Sequence, residues 1–190
     1  MNGNLPPELS ELLDQFEAVD RDAKALVAGL SEKLGTAQPA PGSWSVAECL
    51  DHLATANRVY LRALEPPAIR AKESGRLRKR PAKPGWAGRL FIATLEPPPK
   101  WWSKLKAPRK IRPRAAPPLA DAFESFMASQ ADARAFLIAN AHLDLAGVRF
   151  PNPFIPGVRF SLATGLHILP AHARRHLLQA WRVRRALEGG

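Results

Sequence analysis

The chain has 190 residues, 46% of them apolar, and a formal net charge of +11. That length suits a single domain over residues 1–190 with a full hydrophobic core, while a lone cysteine, Cys49, excludes an internal disulfide and a thiolate zinc cluster. No apolar stretch approaches the roughly 20 residues of a membrane span, and the N-terminus lacks the basic start and apolar core of a secretory leader. The expectation is a cytoplasmic protein with no membrane partner, in which any metal site uses nitrogen and oxygen ligands.

The positive charge is local. Between Ala68 and Ala116 there are 15 Lys or Arg against 2 acids, which leaves a balance of −2 elsewhere. Such a segment, with Trp86, Trp101 and Trp102 as stacking groups, is one way to hold nucleic acid or another anion. No reading motif accompanies it, so nucleic acid is disfavoured and a solvated surface is the simpler expectation.

Apolar residues from Leu9 to Leu34 recur at three and four positions, predicting a first helix over Pro7 to Leu34. Pro39, Pro41 and Gly42 break it, and Ser45 followed by Glu48 reads as a capping box for a second helix that Pro66 and Pro67 should stop. Residues 66–117 hold most of the prolines and most of the charge and read as a basic connection wrapped over the bundle. Within it Trp86, Leu90, Ile92 and Leu95 offer the apolar side of one short helix. A third long helix is expected from Pro118 to about Asn140, then a proline-rich loop, then a fourth helix whose Leu162, Leu166, Leu169, Ala173, His176, Ala180, Val183 and Leu187 alternate by four and three. Pro170 either kinks that helix or marks its start. The fold class is all-α, an antiparallel four-helix bundle with one long crossover between the second and third long helices.

His172 and His176 lie four apart and so share one helix face, close enough to share an ion. His52, beside the buried stripe of the second helix, is the best third ligand, and three imidazoles would leave coordination positions for water or substrate. The bland reading, hydrogen-bonded core histidines, carries more weight from spacing alone, because helical histidine pairs arise without metals. His142 suits the end of the third helix, and His167 points to another sector as a second-layer group. Glu48 is placed to orient His52 but its capping role is sufficient. Cys49, Asp51, Asn57 and Gln179 fall near the same sector and read as packing or surface.

The run Trp-Ser-Val-Ala-Glu-Cys-Leu-Asp-His-Leu at Trp44 to Leu53 and Ala-His-Ala-Arg-Arg-His-Leu-Leu-Gln-Ala at Ala171 to Ala180 resemble the DinB superfamily. So do Leu95 to Pro99, Lys106 to Pro108 and Pro151 to Phe154, and the likeness covers nearly the whole chain. The resemblance implies a metal triad of one histidine before a leucine on the second helix and a His-x-x-x-His pair on the last, which fall on His52, His172 and His176. It reverses the balance left by spacing. It also implies a divalent ion, nickel or zinc with iron as a further choice, a homodimer formed through bundle faces, and metal-dependent thiol transfer or hydrolysis on a small-molecule substrate or thiol. A noncatalytic metal or small-ligand module is the alternative, and Pro170 departs from the family pattern.

Overall fold

The computed structural model describes residues 5–97 and 108–189. Among the described residues six α-helices form: α1 (Pro7–Val27), α2 (Glu32–Thr36), α3 (Val46–Glu73), α4 (Trp86–Leu95), α5 (Leu119–Ala139) and α6 (Leu162–Glu188). α1, α3, α5 and α6 are the four long helices of an all-α bundle. Trp101 and Trp102, named above as stacking groups, lie outside the described residues, as do Lys100, Lys104 and Lys106.

Paired contacts give the helix directions. Arg174 donates to Gln15 and Trp181 to Asp22, so α1 and α6 run the same way. His52 meets His172, while Leu64 lies against Gly165 at the other end, so α3 and α6 are antiparallel. Two core clusters complete the frame. In one, Leu9 to Phe16 join Tyr60, Leu64, Ala133, Leu137 and Leu162 to Leu169. In the other, Val19 to Leu26 join Leu50, Leu53, Leu119, Phe126 and Ala173 to Val183. α1 and α5 are therefore antiparallel, and α3 and α5 run together. Parallel neighbours need a long return path, and that is the work of the connection between them.

The first helix ends earlier than Leu34. Gly29 takes φ +69, a left-handed turn that stops α1, and Ser31 then caps α2 by accepting from the Leu34 amide at 3.3 Å. Glu32 reaches across to the Leu119 amide at 2.7 Å, supplying the cap that Pro118 cannot give α5. At α3 the capping box forms as read: the Glu48 amide donates to Ser45 Oγ at 3.1 Å, and the Ser45 amide to Glu48 Oε2 at 2.8 Å.

Pro66 and Pro67 do not stop α3, which continues to Glu73. A proline inside a helix costs about 3 kcal/mol through its missing N–H and ring clash. Here Leu64, Pro67, Ala68 and Ala71 are all buried, and that continuous apolar stripe offsets the cost by keeping the last turns docked. Likewise α6 is assigned as one helix through Pro170, capped by Ser161.

α4 appears where predicted, with Ile92 and Leu95 of the expected apolar side inward but Trp86 and Leu90 turned out. Trp86 and Leu90 are 72% and 62% exposed, while Phe91, Ile92 and Leu95 pack on the core. Gly88 sets this orientation, because a Cβ there would come within 2.5 Å of Thr164 Oγ1, so only glycine lets α4 press this close to α6. The proline-rich loop contains a further element, an antiparallel pair of β1 (Arg149–Pro151) and β2 (Arg159–Ser161) with Phe150 opposite Phe160, both buried. Three prolines hid the alternation of Val148 and Phe150 with Val158 and Phe160.

The connection is tied down at both ends. The Arg78 amide donates to the His142 carbonyl, and Glu8 accepts from the Ala82 amide at 2.9 Å and pairs with the Arg78 guanidinium at 2.6 Å. Arg76 and Arg80 flank Asp144. Among the described residues no helix is long and apolar enough to cross a membrane.

Candidate metal centre

Periodicity alone places His176 on the core stripe of α6, yet the buried sequence there is Leu169, Ala173, Leu177, Ala180 and Val183. The core position is Leu177. His172 and His176 sit one residue off it, at the boundary between core and cavity, and are half-buried. His52 on α3 is 1% exposed.

The antiparallel packing of α3 and α6 brings the three rings into van der Waals range. Ring centroids are 5.0 Å apart for His52 and His172, 4.5 Å for His52 and His176, and 4.6 Å for His172 and His176. One nitrogen from each lies within 4.8 Å of the others, a group that could hold a metal ion. His52 Nε2 and His172 Nε2 are 3.3 Å apart. Two nitrogens bound at ~2.0–2.1 Å to a tetrahedral ion stand ~3.3 Å apart, so this pair already has the right spacing.

The connection fixes the tautomer of His52. A 3-10 turn, Arg109–Ile111, places the Ile111 carbonyl against His52 Nδ1. A carbonyl only accepts, so Nδ1 carries the hydrogen and the Nε2 lone pair faces inward. The contact between His52 and His172 is then an N–H of His172 Nε2 donated to His52 Nε2. Asp51 secures the turn, accepting from the Arg114 amide at 2.8 Å and from Arg114 Nε at 2.7 Å. The segment bearing Ile111 is thereby anchored to the residue next to His52. At the third histidine, His176 Nδ1 donates to Gln179 Oε1 at 3.0 Å, directing its Nε2 away from that amide. Both hydrogen bonds are the kind that orient metal-binding imidazoles.

Burial is the main reason all three histidines hold pKa values below the usual range. His52 is lowered by desolvation, although the Ile111 carbonyl opposes this. His172 is lowered well below 6.5 by desolvation and then by His176, His52 and Arg175. His176 is pushed down to about 3, again chiefly by desolvation. At neutral pH the triad is uncharged, the form in which imidazole binds a metal.

A cavity of about 1100 Å³ opens from the triad. Trp44 forms one wall, its ring 4.8 Å from His52 and stacked at 5.7 Å on His176. Tyr60, Phe91, Leu95, Phe154 and Ile168 supply apolar walls. Glu48 also lines it, but its carboxylate is occupied by the Ser45 amide and by Gln38 Nε2 at 3.0 and 3.2 Å, and it does not orient His52.

Other residues weighed from sequence lie apart from the triad. His167 donates to the Ala163 carbonyl at 2.8 Å, and His142 serves through its backbone. Cys49 is fully buried in the core, and desolvation raises its thiol pKa, so it is neither ligand nor nucleophile. Asn57 donates to Ser129 and Gln130 between α3 and α5. Ile111 and Trp44 went unrecognised as site residues. A backbone carbonyl leaves no mark in a side-chain pattern, whereas Trp44 stands directly before the Ser45 cap, a position that must overhang the first turn of α3.

A family model described as the DinB superfamily matches residues 15–180. No curated protein and no solved structure matches the chain.

Proposed function

We propose, from the premise that this chain belongs to the DinB superfamily, that it is a metal-dependent enzyme acting on a small molecule bound in the cavity beside His52, His172 and His176. The observation that carries this is the tautomer lock: Ile111 holds the His52 Nδ1 hydrogen and leaves its Nε2 aimed at His172 Nε2, 3.3 Å away. A nitrogen of His176 completes the group, all three lying within 4.8 Å of one another. Three neutral nitrogens fit nickel, zinc or iron, and with no thiolate or carboxylate in the set the choice falls to availability and open positions. A divalent ion held there would supply Lewis acidity, lowering the pKa of a water or thiol beside it toward neutrality. The protein's own part is to keep the imidazoles uncharged and oriented, to wall the site with Trp44, and to offer apolar surface for the substrate. Thiol transfer and hydrolysis are the reaction classes this arrangement suits.

A second reading, a noncatalytic metal-binding module, draws on Glu48, the one carboxylate lining the cavity among the described residues, being committed to Ser45 and Gln38. A panel of thiol-transfer and hydrolase substrates decides between them. Turnover that follows added nickel, zinc or iron and disappears in His176→Gln supports the enzyme. Stoichiometric metal with no turnover across the panel supports the module.

A further inference from the structure

The stripe of α6 that faces the cavity does not end at the histidines. Ile168, His172, Arg175, His176, Gln179 and Arg182 succeed one another on one face, so Arg182 stands six residues, about 9 Å, beyond His176 along α6. Arg112 and Arg114, from the segment just after the Ile111 turn, line the cavity as well. Arg114 is neutralised by Asp51, and Arg175 donates to the Thr94 carbonyl. Arg112 and Arg182 are different: both are exposed, and among the described residues neither guanidinium group has a hydrogen bond or ion pair. Glu48, committed to Ser45 and Gln38, is the only carboxylate among the described residues that line the cavity. The cavity is therefore lined by the histidine triad, by aromatic and aliphatic side chains, and by two exposed guanidinium groups that have no ion-pair partner among the described residues.

From this layout we infer that the substrate is an amphipathic anion, with an apolar body against Tyr60, Phe91 and Phe154 and a terminal carboxylate or phosphate held by Arg112 and Arg182. The guanidinium fork matches either group, and a volume of about 1100 Å³ is at the upper end for small-ligand pockets. The inference deepens the proposed function, on which it rests for the place of reaction. Its own support is the pair of arginines lining the cavity, so it can fail separately.

Isothermal titration calorimetry with 4-phenylbutyrate and the neutral 4-phenylbutanol tests it on the full chain, as purified and after chelation, with metal content measured for each sample. Wild type is expected to prefer the carboxylate at least tenfold, whether or not metal is bound. The double variant Arg112→Gln/Arg182→Gln should lose that preference while keeping its affinity for the alcohol, which also shows that the variant is folded. His172→Gln should keep the preference. Equal binding of the two probes, no binding of phenylbutyrate, or a preference that survives in the double variant would overturn the inference. A preference lost only on chelation or in His172→Gln would overturn it too, because the ion would then be the anion's holder. Absence of metal from wild type would instead count against the proposed function and leave the calorimetric comparison intact.

Discussion

His52 donates its Nδ1 hydrogen to the carbonyl of Ile111, a residue delivered by the basic connection rather than by the bundle. The connection between α3 and α5 therefore does more than return the chain: it sets which nitrogen of His52 is available to an ion. Asp51, which holds Arg114, is the tether that keeps Ile111 there.

Asp51→Asn should accordingly weaken metal binding without touching a ligand. Loss of an outer hydrogen-bond partner typically costs 10–100-fold in affinity. We expect about tenfold, since the altered contact acts through Ile111. Competition against a chelating dye measures it, with circular dichroism showing that helix content is unchanged. Wild-type affinity in the variant would mean that the turn holds itself in place.

Metal-free protein should lose stability as pH falls below about 6.5. The sign follows from the lowered folded-state pKa values of His52, His172 and His176. Above 6.5 both folded and unfolded chains carry neutral imidazole and no stability difference arises. Below it the unfolded chain takes up protons that the buried triad refuses, and stability declines with pH down toward about 3 for His176. Urea midpoints between pH 5 and 8 test this, and His176→Gln should flatten the slope. A flat wild-type profile would contradict the burial of the triad.

Trp44 lies close enough to report on the ion. Its ring is 4.8 Å from His52 and 5.7 Å from His176. Nickel should quench part of the tryptophan emission at stoichiometric addition, and Trp44→Phe should remove that component. Quenching that persists undiminished in Trp44→Phe would place the ion elsewhere.

The histidine set was legible because helical spacing and a shared motif mark side chains. What reads their environment is less visible. The regular pattern on α6 draws His176 into the core, whereas the fold puts Leu177 there, since the interface with α1 and α3 selects a face slightly rotated from the ideal repeat. Pro66 and Pro67 were read as a stop by local preference, and tertiary burial of Pro67 with Ala68 and Ala71 overrode it. The β1 and β2 pair escaped notice because Pro151, Pro153 and Pro156 are turn signals that outweigh two short alternations. The basic segment reads from sequence as a solvated surface, yet several of its arginines are paired, since their acidic partners lie far off in the chain: Arg78 meets Glu8, Arg76 and Arg80 meet Asp144, and Arg114 meets Asp51.

Between α3 and α5 a buried polar contact should matter for stability alone. Asn57 is 0% exposed and donates to Ser129 Oγ at 3.0 Å and to Gln130 Oε1 at 3.1 Å. Asn57→Ala strands those acceptors and should destabilise by about 1–3 kcal/mol. Urea denaturation gives the change, and metal stoichiometry should stay at the wild-type value. A loss of metal in this variant would tie the network to the site.

The most direct measurement is metal content by elemental mass spectrometry on tag-free protein after reconstitution, beside His52→Gln, His172→Gln and His176→Gln. Near one equivalent of nickel, zinc or iron in wild type, lost in each folded variant, is the predicted result. Folded wild-type protein that takes up no metal, or variants that retain it in full, would contradict a metal centre at this triad.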